Sequence, residues 1–308
     1  MSRHRAALLA AVIALFGACA APASSPTPTT TTYRVIATTS VFADLARLAL
    51  GSAAQVESIV PAGIDVHTFE PSPSDAGKIA QADLILMNGL GLDEWVGSLI
   101  DAAQKSDRDV LRLGEGLDQS DGWIYLTTGG QGGAQGVDPH VWLDPNGAAL
   151  YLHHIAERVI HDRPELTDVI RSSLTSGLAR LRALDDEVRT LYEAIPAAHR
   201  AIVTFHDAFG YYARAYDITI VGVAVQSPGQ DPSAREIAAL IDAIRAAGVT
   251  TVFSEIQFPS KVLTSVAAET GATVLANLYS DALGDAPYDT YVAAMRANAT
   301  AIAASLQR

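Results

Sequence analysis

Two runs of alternating strand-like and helix-like segments, divided by one long amphipathic stretch, constrain this chain more than any other feature. From Tyr33, YRVIATT reads as a strand, Ser40 is placed to cap the helix VFADLARLAL, and Gly51 ends it. QVESIV, ADLILMN and DVLRL read as further strands, with SDAGKIAQA and DEWVGSLIDAAQ as helices between them. Beyond Pro164, apolar residues recur in steps of three or four: Leu166, Val169, Ile170, Leu174, Leu178, Leu181, Leu184, Val188, Leu191 and Ile195. That spacing predicts one helix of roughly 30 residues over 164–196, about 45 Å long at 1.5 Å per residue. The alternation then resumes with strands RAIVTF, ITIVGVAV, TTVFSE and ATVLAN. Helices DAFGYYARAY, SAREIAALIDAIRAAG and PSKVLTSVAAET separate these strands, and a last helix starts near Tyr288.

Strands that alternate with helices form parallel β-α units. The expected fold is therefore α/β: two lobes, each a mainly parallel four-stranded sheet flanked by helices, joined by one long rigid helix. The expected divisions are a signal peptide over 1–18, a flexible tether over 19–32, an N-terminal lobe over 33–163, the linking helix over 164–196 and a C-terminal lobe over 197–308. Residues 114–138 break the rhythm with a Gly-rich stretch that reads as a long loop, after which Asn146 is placed to cap a helix running to about His161.

The N-terminus carries Arg3 and Arg5, an apolar run from Ala6 to Phe16, then Gly17 and Ala18 before Cys19. The run is too short for a bilayer core and reads as an export signal. Cys19 is the only cysteine, so it can form no internal disulfide. Its position resembles the lipobox of bacterial lipoproteins, with Phe16 where leucine is usual and Leu15 one place early. A lipid anchor at Cys19 is the expectation, with plain cleavage near Ala18 or Ala20 as the alternative. The following APASSPTPTTTT buries no core and reads as a tether. Lys and Arg total 21 against 34 Asp and Glu, and the resulting net charge of −13 repels a phosphate backbone, which argues against nucleic acid as a partner.

In open parallel sheets, ligands sit beyond the carboxyl ends of the strands. Four polar residues fall there: His67 in VHTFEPSPSD, His140 in DPHVWLDP, His206 in TFHDAFGYY and Asp281 in LYSDALGD. Three imidazoles and a carboxylate suit a borderline cation such as Zn²⁺, which takes nitrogen and oxygen in tetrahedral geometry. Glu70, Asp138, Asp144 and Asp207 are placed to orient an imidazole, against the plainer role of capping or solvated surface. Glu255 is placed as an outer partner or substitute ligand. Trp95 and Trp142 read as packing residues, and His153, His154, His161 and His199 fall on helices away from the strand ends.

The strings HTFEPSP, DPHVWLDP, FHDAFGYY and FSEIQFP, in this order around a long central helix, closely resemble the zinc- and manganese-binding receptors of bacterial ABC importers. The resemblance spans Tyr33 to Arg308. It implies a metal ion held between the lobes, with His67, His140, His206 and Asp281 at the ligand positions. It also implies an exported, cell-surface or periplasmic lipoprotein, expected to be a monomer, whose partner is a membrane permease. Manganese receptors of this kind usually carry Glu at the third position, where this chain has His206. Imidazole there favours zinc over manganese, the alternative cargo. Many zinc receptors of the family insert a His-rich loop between the first two ligands, whereas Gly114–Val137 contains no histidine and reads as a flap or partner contact. Two other classes stay open: a zinc hydrolase using only the three histidines, and a surface adhesin or metal store. No HExxH or GxSxG string supports an enzyme.

Overall fold

A computed structural model describes residues 32–117, 123–126, 136–258 and 261–307. The signal segment, Cys19, most of the tether, and parts of the Gly-rich stretch lie outside the described residues. Among the described residues no helix is long and apolar enough to cross a membrane.

The first sheet is built from β1 (Tyr33–Ala37), β2 (Ala54–Ser58), β3 (Leu84–Met87) and β4 (Val110–Arg112), in the order β2-β1-β3-β4. The second uses β5 (Ala201–His206), β6 (Thr219–Val225), β7 (Thr251–Glu255) and β8 (Thr273–Leu278), in the order β6-β5-β7-β8. All pairings are parallel. The two halves thus share one topology. In each, the chain reverses its winding direction between the two central strands, and the carboxyl ends of those strands open onto the crevice where such folds take ligands.

Helices α1 (Ser40–Leu50), α2 (Pro73–Gln81), α3 (Gly97–Ala102) and α4 (Pro145–Asp162) accompany the first sheet. Thr39, not Ser40, caps α1: its side chain accepts from the Phe42 amide at 3.3 Å. The Ser40 hydroxyl is used elsewhere, accepting from the Leu283 amide of the other half at 3.0 Å. Asp144, not Asn146, caps α4, because its carboxylate accepts from the Asn146 amide at 2.8 Å. The second sheet carries α6 (Gly210–Tyr216), α7 (Ala234–Ala247) and α8 (Lys261–Thr270). The last helix, α9 (Tyr291–Leu306), begins three residues later than the sequence suggests, where Thr290 supplies a side-chain cap.

The long helix, α5, runs from Thr167 to Glu193, and its 27 residues span about 40 Å. Pro164–Leu166 form a separate 3-10 turn before it, which shortens the expected helix. Its apolar stripe buries Ile170, Leu174, Leu181, Leu184, Val188 and Tyr192. Gly177 lies where α1 and α4 approach closely; a Cβ there would meet the Leu48 carbonyl oxygen at 2.8 Å. One continuous apolar core contains this stripe, the inner residues of α1, α4 and α9, and side chains of both halves such as Trp142, Phe209 and Tyr291. Two smaller cores lie on the outer faces of the sheets. Truncating a fully buried side chain in the shared core removes contacts from both halves at once. Leu184→Ala is expected to cost about 2–5 kcal/mol, with tryptophan fluorescence and far-UV dichroism following a single common denaturant transition.

Candidate metal centre

Each half contributes two of the four residues singled out, and the structure brings all four together. His206 is the last residue of β5, and Asp281 follows β8 by two intervening residues, Tyr279 and Ser280. His67 lies in the loop between β2 and α2, where its amide donates to Asp65 Oδ1 at 3.0 Å. His140 sits just before a 3-10 turn, Val141–Leu143, that folds back onto the start of α4. Gly147 makes that fold possible, since a Cβ would stand 2.3 Å from the Val141 carbonyl oxygen.

One donor atom from each of His67, His140, His206 and Asp281 lies within 4.8 Å of every other. Asp281 Oδ2 is 3.4 Å from His67 Nε2 and 3.3 Å from His206 Nε2, and its Oδ1 is 3.5 Å from His140 Nε2. The Nε2 atoms of His140 and His206 are 3.4 Å apart. His140, His206 and Asp281 are almost wholly buried, while the His67 side chain keeps 17% of its surface exposed. His67 Nε2 and Asp281 Oδ1 are buried without a hydrogen-bond partner. Two polar atoms so placed at the centre of one cluster carry a desolvation cost that a cation coordinated there would offset.

The imidazoles are oriented from behind. His206 Nδ1 lies 2.8 Å from Glu255 Oε2, at the end of the neighbouring strand β7, and His140 Nδ1 lies 2.8 Å from Asp138 Oδ1. A carboxylate accepts only, so each Nδ1 carries its proton and each Nε2 lone pair faces the centre when the ring is neutral. Phe258 stands edge-on to the His206 ring at 5.2 Å, and Trp142 lies 5.3 Å from His140. Trp142 also ties the halves together, donating from Nε1 to the Ser280 carbonyl at 2.9 Å.

Three expected outer partners do not act on an imidazole among the described residues. Glu70 is exposed. Asp207 is only partly buried and makes no hydrogen bond to a ring among the described residues; burial, then Asp138, pushes its carboxyl up. Asp144 is spent on capping α4. The sequence reading missed Asn88, whose amide donates at 3.0 Å to the carbonyl of Pro139, next to His140, while Tyr151 holds its oxygen at 2.6 Å. It also missed Asp93, fully buried against Thr38, Asn88 and Gly89, which burial pushes up to about 6. Their one visible signal is position after β3, in the stretch that the carboxyl-end rule marks.

Within the Gly-rich stretch, the described residues 123–126 are held against α6 instead of projecting as a flap. The Leu126 amide donates to the Tyr211 hydroxyl at 3.1 Å, Trp123 stacks on Tyr211, and Arg214 lies 4.8 Å over the Trp123 ring. The Asp138 amide donates to the Leu126 carbonyl at 2.8 Å, so this segment steadies the carboxylate behind His140.

Burial disfavours a charged His206 most strongly, but Glu255 and Asp281 outweigh it and hold the imidazole well above its ordinary range. Burial likewise opposes charge on Asp281, yet His206 keeps its carboxyl well below the usual carboxylate range. The ion-free cluster thus keeps a proton on His206 at neutral pH.

Two matching α/β lobes around one buried three-histidine, one-carboxylate cluster define a class, the two-lobe receptors that enclose a single cation. A family profile described as "Zinc-uptake complex component A periplasmic" matches residues 35–305. The manganese ABC transporter substrate-binding lipoprotein scaA of Streptococcus gordonii is 29% identical over 308 residues, spanning 98% of this chain and 97% of its own. The iron ABC transporter substrate-binding lipoprotein MtsA of Streptococcus pyogenes serotype M1 is 27% identical over 317 residues and spans 100% of both chains. Among solved structures, the periplasmic zinc binding protein TroA from Treponema pallidum superposes with a TM-score of 0.80 at 27% identity, over 90% of this chain and 100% of that one. A crystal structure of ZnuA gives a TM-score of 0.77 at 25% identity with the same coverage. The chain belongs to the zinc-uptake component A family, the substrate-binding receptors of metal ABC importers.

A raised imidazole and a depressed carboxylate have opposite linkage signs. The stability that His206 lends the ion-free protein is full below its unfolded value of about 6.5 and is lost as pH rises through the higher folded value. That from Asp281 is present above about 3.9 and is lost as pH falls through its lower folded value. A cation has to displace the His206 proton, so its affinity changes the other way. Titration calorimetry at pH 7 in buffers of differing ionisation enthalpy is expected to show about one proton released per ion bound, with affinity falling about tenfold for each unit of pH below that.

Proposed function

We propose that this chain is an exported, lipid-anchored receptor that takes Zn²⁺ as its cargo and delivers it to the membrane permease of an ABC importer. In this reading His67, His140, His206 and Asp281 are the ligands, Cys19 carries the anchor, and residues 19–32 form the tether. The observation that carries the reading is the spacing of the donors. A tetrahedral ion with bonds of about 2.0–2.1 Å has ligand-to-ligand edges of about 3.3–3.4 Å; Asp281 Oδ2 stands 3.4 Å from His67 Nε2 and 3.3 Å from His206 Nε2, the Nε2 atoms of His140 and His206 are 3.4 Å apart, and one donor atom from each of the four residues lies within 4.8 Å of every other.

The printed names of the relatives include manganese, iron and zinc proteins, so family membership leaves the cargo open. The donor set favours zinc, since three nitrogens and a single carboxylate are a poor match for manganese, which prefers oxygen ligands and higher coordination. Four protein donors leave no vacant position for a nucleophilic water, which supports capture in place of hydrolysis. The description of the two relatives as lipoproteins supports the anchor at Cys19.

Access for the ion is from the His67 side, where the cluster is least covered. A cavity of about 500 Å³, lined by residues including Asp65, Thr68, Phe205, Gln257, Phe258 and Lys261, opens beside that histidine. The ion sheds its water there as imidazole nitrogens replace it.

Competitive titration of Zn²⁺ and Mn²⁺ on a chain starting near Tyr33 tests the reading. One tightly held zinc per chain, preferred over manganese and weakened at least tenfold by Asp281→Ala, is the expected result; a preference for manganese overturns it. Because α5 and the shared core tie the lobes, the radius of gyration measured by small-angle scattering is expected to change by under about 1 Å on loading. A large compaction would show a hinge that this core does not allow.

A further inference from the structure

The turn that presents His140 is held from outside the ligand set. His140 has φ −83° and ψ 42°, near the inverse γ-turn at about −75° and +65°, and the closing hydrogen bond runs from the Val141 amide to the Pro139 carbonyl at 2.9 Å. That carbonyl takes a second donor, Asn88 Nδ2 at 3.0 Å, from the loop after β3 and 51 residues away in the chain. Both lone pairs of the Pro139 oxygen are thus used, one by the turn itself and one by a residue that belongs to the first sheet.

Asn88 is itself fixed on every side and wholly buried. Its Nδ2 also donates to the Gly89 carbonyl at 3.0 Å, and its Oδ1 accepts from the Tyr151 hydroxyl at 2.6 Å. Its main-chain N–H donates to Asp93 at 2.8 Å, and its carbonyl accepts from the Gly114 amide at 2.9 Å. Gly89 and Pro139 present carbonyl oxygens, which only accept, so the amide nitrogen faces them and Tyr151 has to donate. Rotating the side chain would strand at least one of these groups in the interior. Asp138 lies in the same loop as His140 and sets the ring against that loop. Asn88 sets the loop against β3, and with it the distance of His140 Nε2 from His206 Nε2, 3.4 Å away.

We infer that Asn88 is a positioning residue for metal retention: its amide pins the peptide before His140, so that this imidazole stays at the centre and a bound ion leaves slowly. The side chain touches no ion and acts only through Pro139 and His140. The inference rests on the ligand assignment proposed above and goes beyond it by naming what holds one of the ligands in place.

The test compares wild type with Asn88→Leu, which keeps the branched shape and removes the amide, and with Tyr151→Phe, which removes only the hydroxyl that holds it. Zinc affinity, read by competition with a chromophoric chelator, is expected to fall about tenfold in Asn88→Leu and about threefold in Tyr151→Phe, mostly through faster dissociation. Made in a His140→Ala background, each substitution is expected to change affinity by under about twofold, because its route to the ion is already gone. The ligand-field bands of Co²⁺ held in the site are expected to shift in Asn88→Leu and to shift no further when that change is added to His140→Ala. Thermal melting of the ion-free forms identifies the folded variants, and Tyr151→Phe carries the comparison if Asn88→Leu does not fold. Equal losses in both backgrounds mark a general packing effect and overturn the inference. Folded variants with unchanged affinity and unchanged bands overturn it too, while a loss of zinc in His140→Ala leaves the receptor reading intact. An unchanged affinity in His140→Ala refutes the ligand assignment itself, and the inference falls with it.

Discussion

The charge of Asp281 is the constraint on which the rest of the molecule depends. The residue is almost wholly buried, and an uncompensated carboxylate in that position would cost several kcal/mol. It is compensated by His206 of its own half, and the His67 and His140 nitrogens of the first half stand 3.4 and 3.5 Å from its oxygens. The two lobes must therefore meet at this point, and the rest of the fold can be understood as what holds them there. Glu255 and Asp138 add further buried carboxylates, each acceptable because an imidazole N–H faces it. Across the whole cluster, acceptors outnumber the protons available, which suits a centre built to receive a cation.

The frame that holds the lobes together is apolar. The stripe on α5, the inner faces of α1, α4 and α9, and residues from both sheets form one core. Hydrogen bonds cross the same boundary: Ser40 to Leu283, Asp44 to Tyr291, Trp142 to Ser280 and Tyr291 to Trp142. A core shared in this way resists a wide hinge, because opening would expose apolar surface along the whole helix. Adjustment on loading then falls to the loop carrying His67, the most exposed of the four side chains and the one whose ring has no carboxylate behind it among the described residues.

The same asymmetry gives the proposed cargo a path and an order. His140 and His206 are held from behind and wait in the interior, Asp281 stands between them, and His67 covers the outer side. An arriving ion would find three fixed donors and be enclosed by the fourth. Release to a membrane partner would run in reverse, with a proton returning to His206 as the ion leaves, since the ion-free cluster favours the charged imidazole.

The alternation of apolar runs, the three-or-four spacing after Pro164 and the turn residues between segments were sufficient for the two-lobe parallel fold, because backbone pairing and amphipathic burial are periodic and local. His67, His140, His206 and Asp281 were legible too, since each follows or ends a strand in a fold whose crevice lies at that edge. Other features had no decisive local signature. Ser40 is engaged by the Leu283 amide, which only the folded chain brings near, and Thr39 caps α1 in its place; Asp144 caps α4 by taking the amide of Asn146 itself, a local exchange between two polar residues that both suit a cap. Glu70 and Asp207 sit beside ligand histidines in sequence yet orient none, whereas Glu255, 49 residues from His206, does. Asn88 and Asp93 carry polar contacts that depend on distances across the fold. The sequence by itself determined the lobes, the spine and the chemical kind of the centre, because these follow from periodicity and residue type. Only the tertiary structure decided which carboxylate backs which imidazole and which amide holds the peptide before His140, because a hydrogen bond depends on a few tenths of an ångström between atoms remote in the chain.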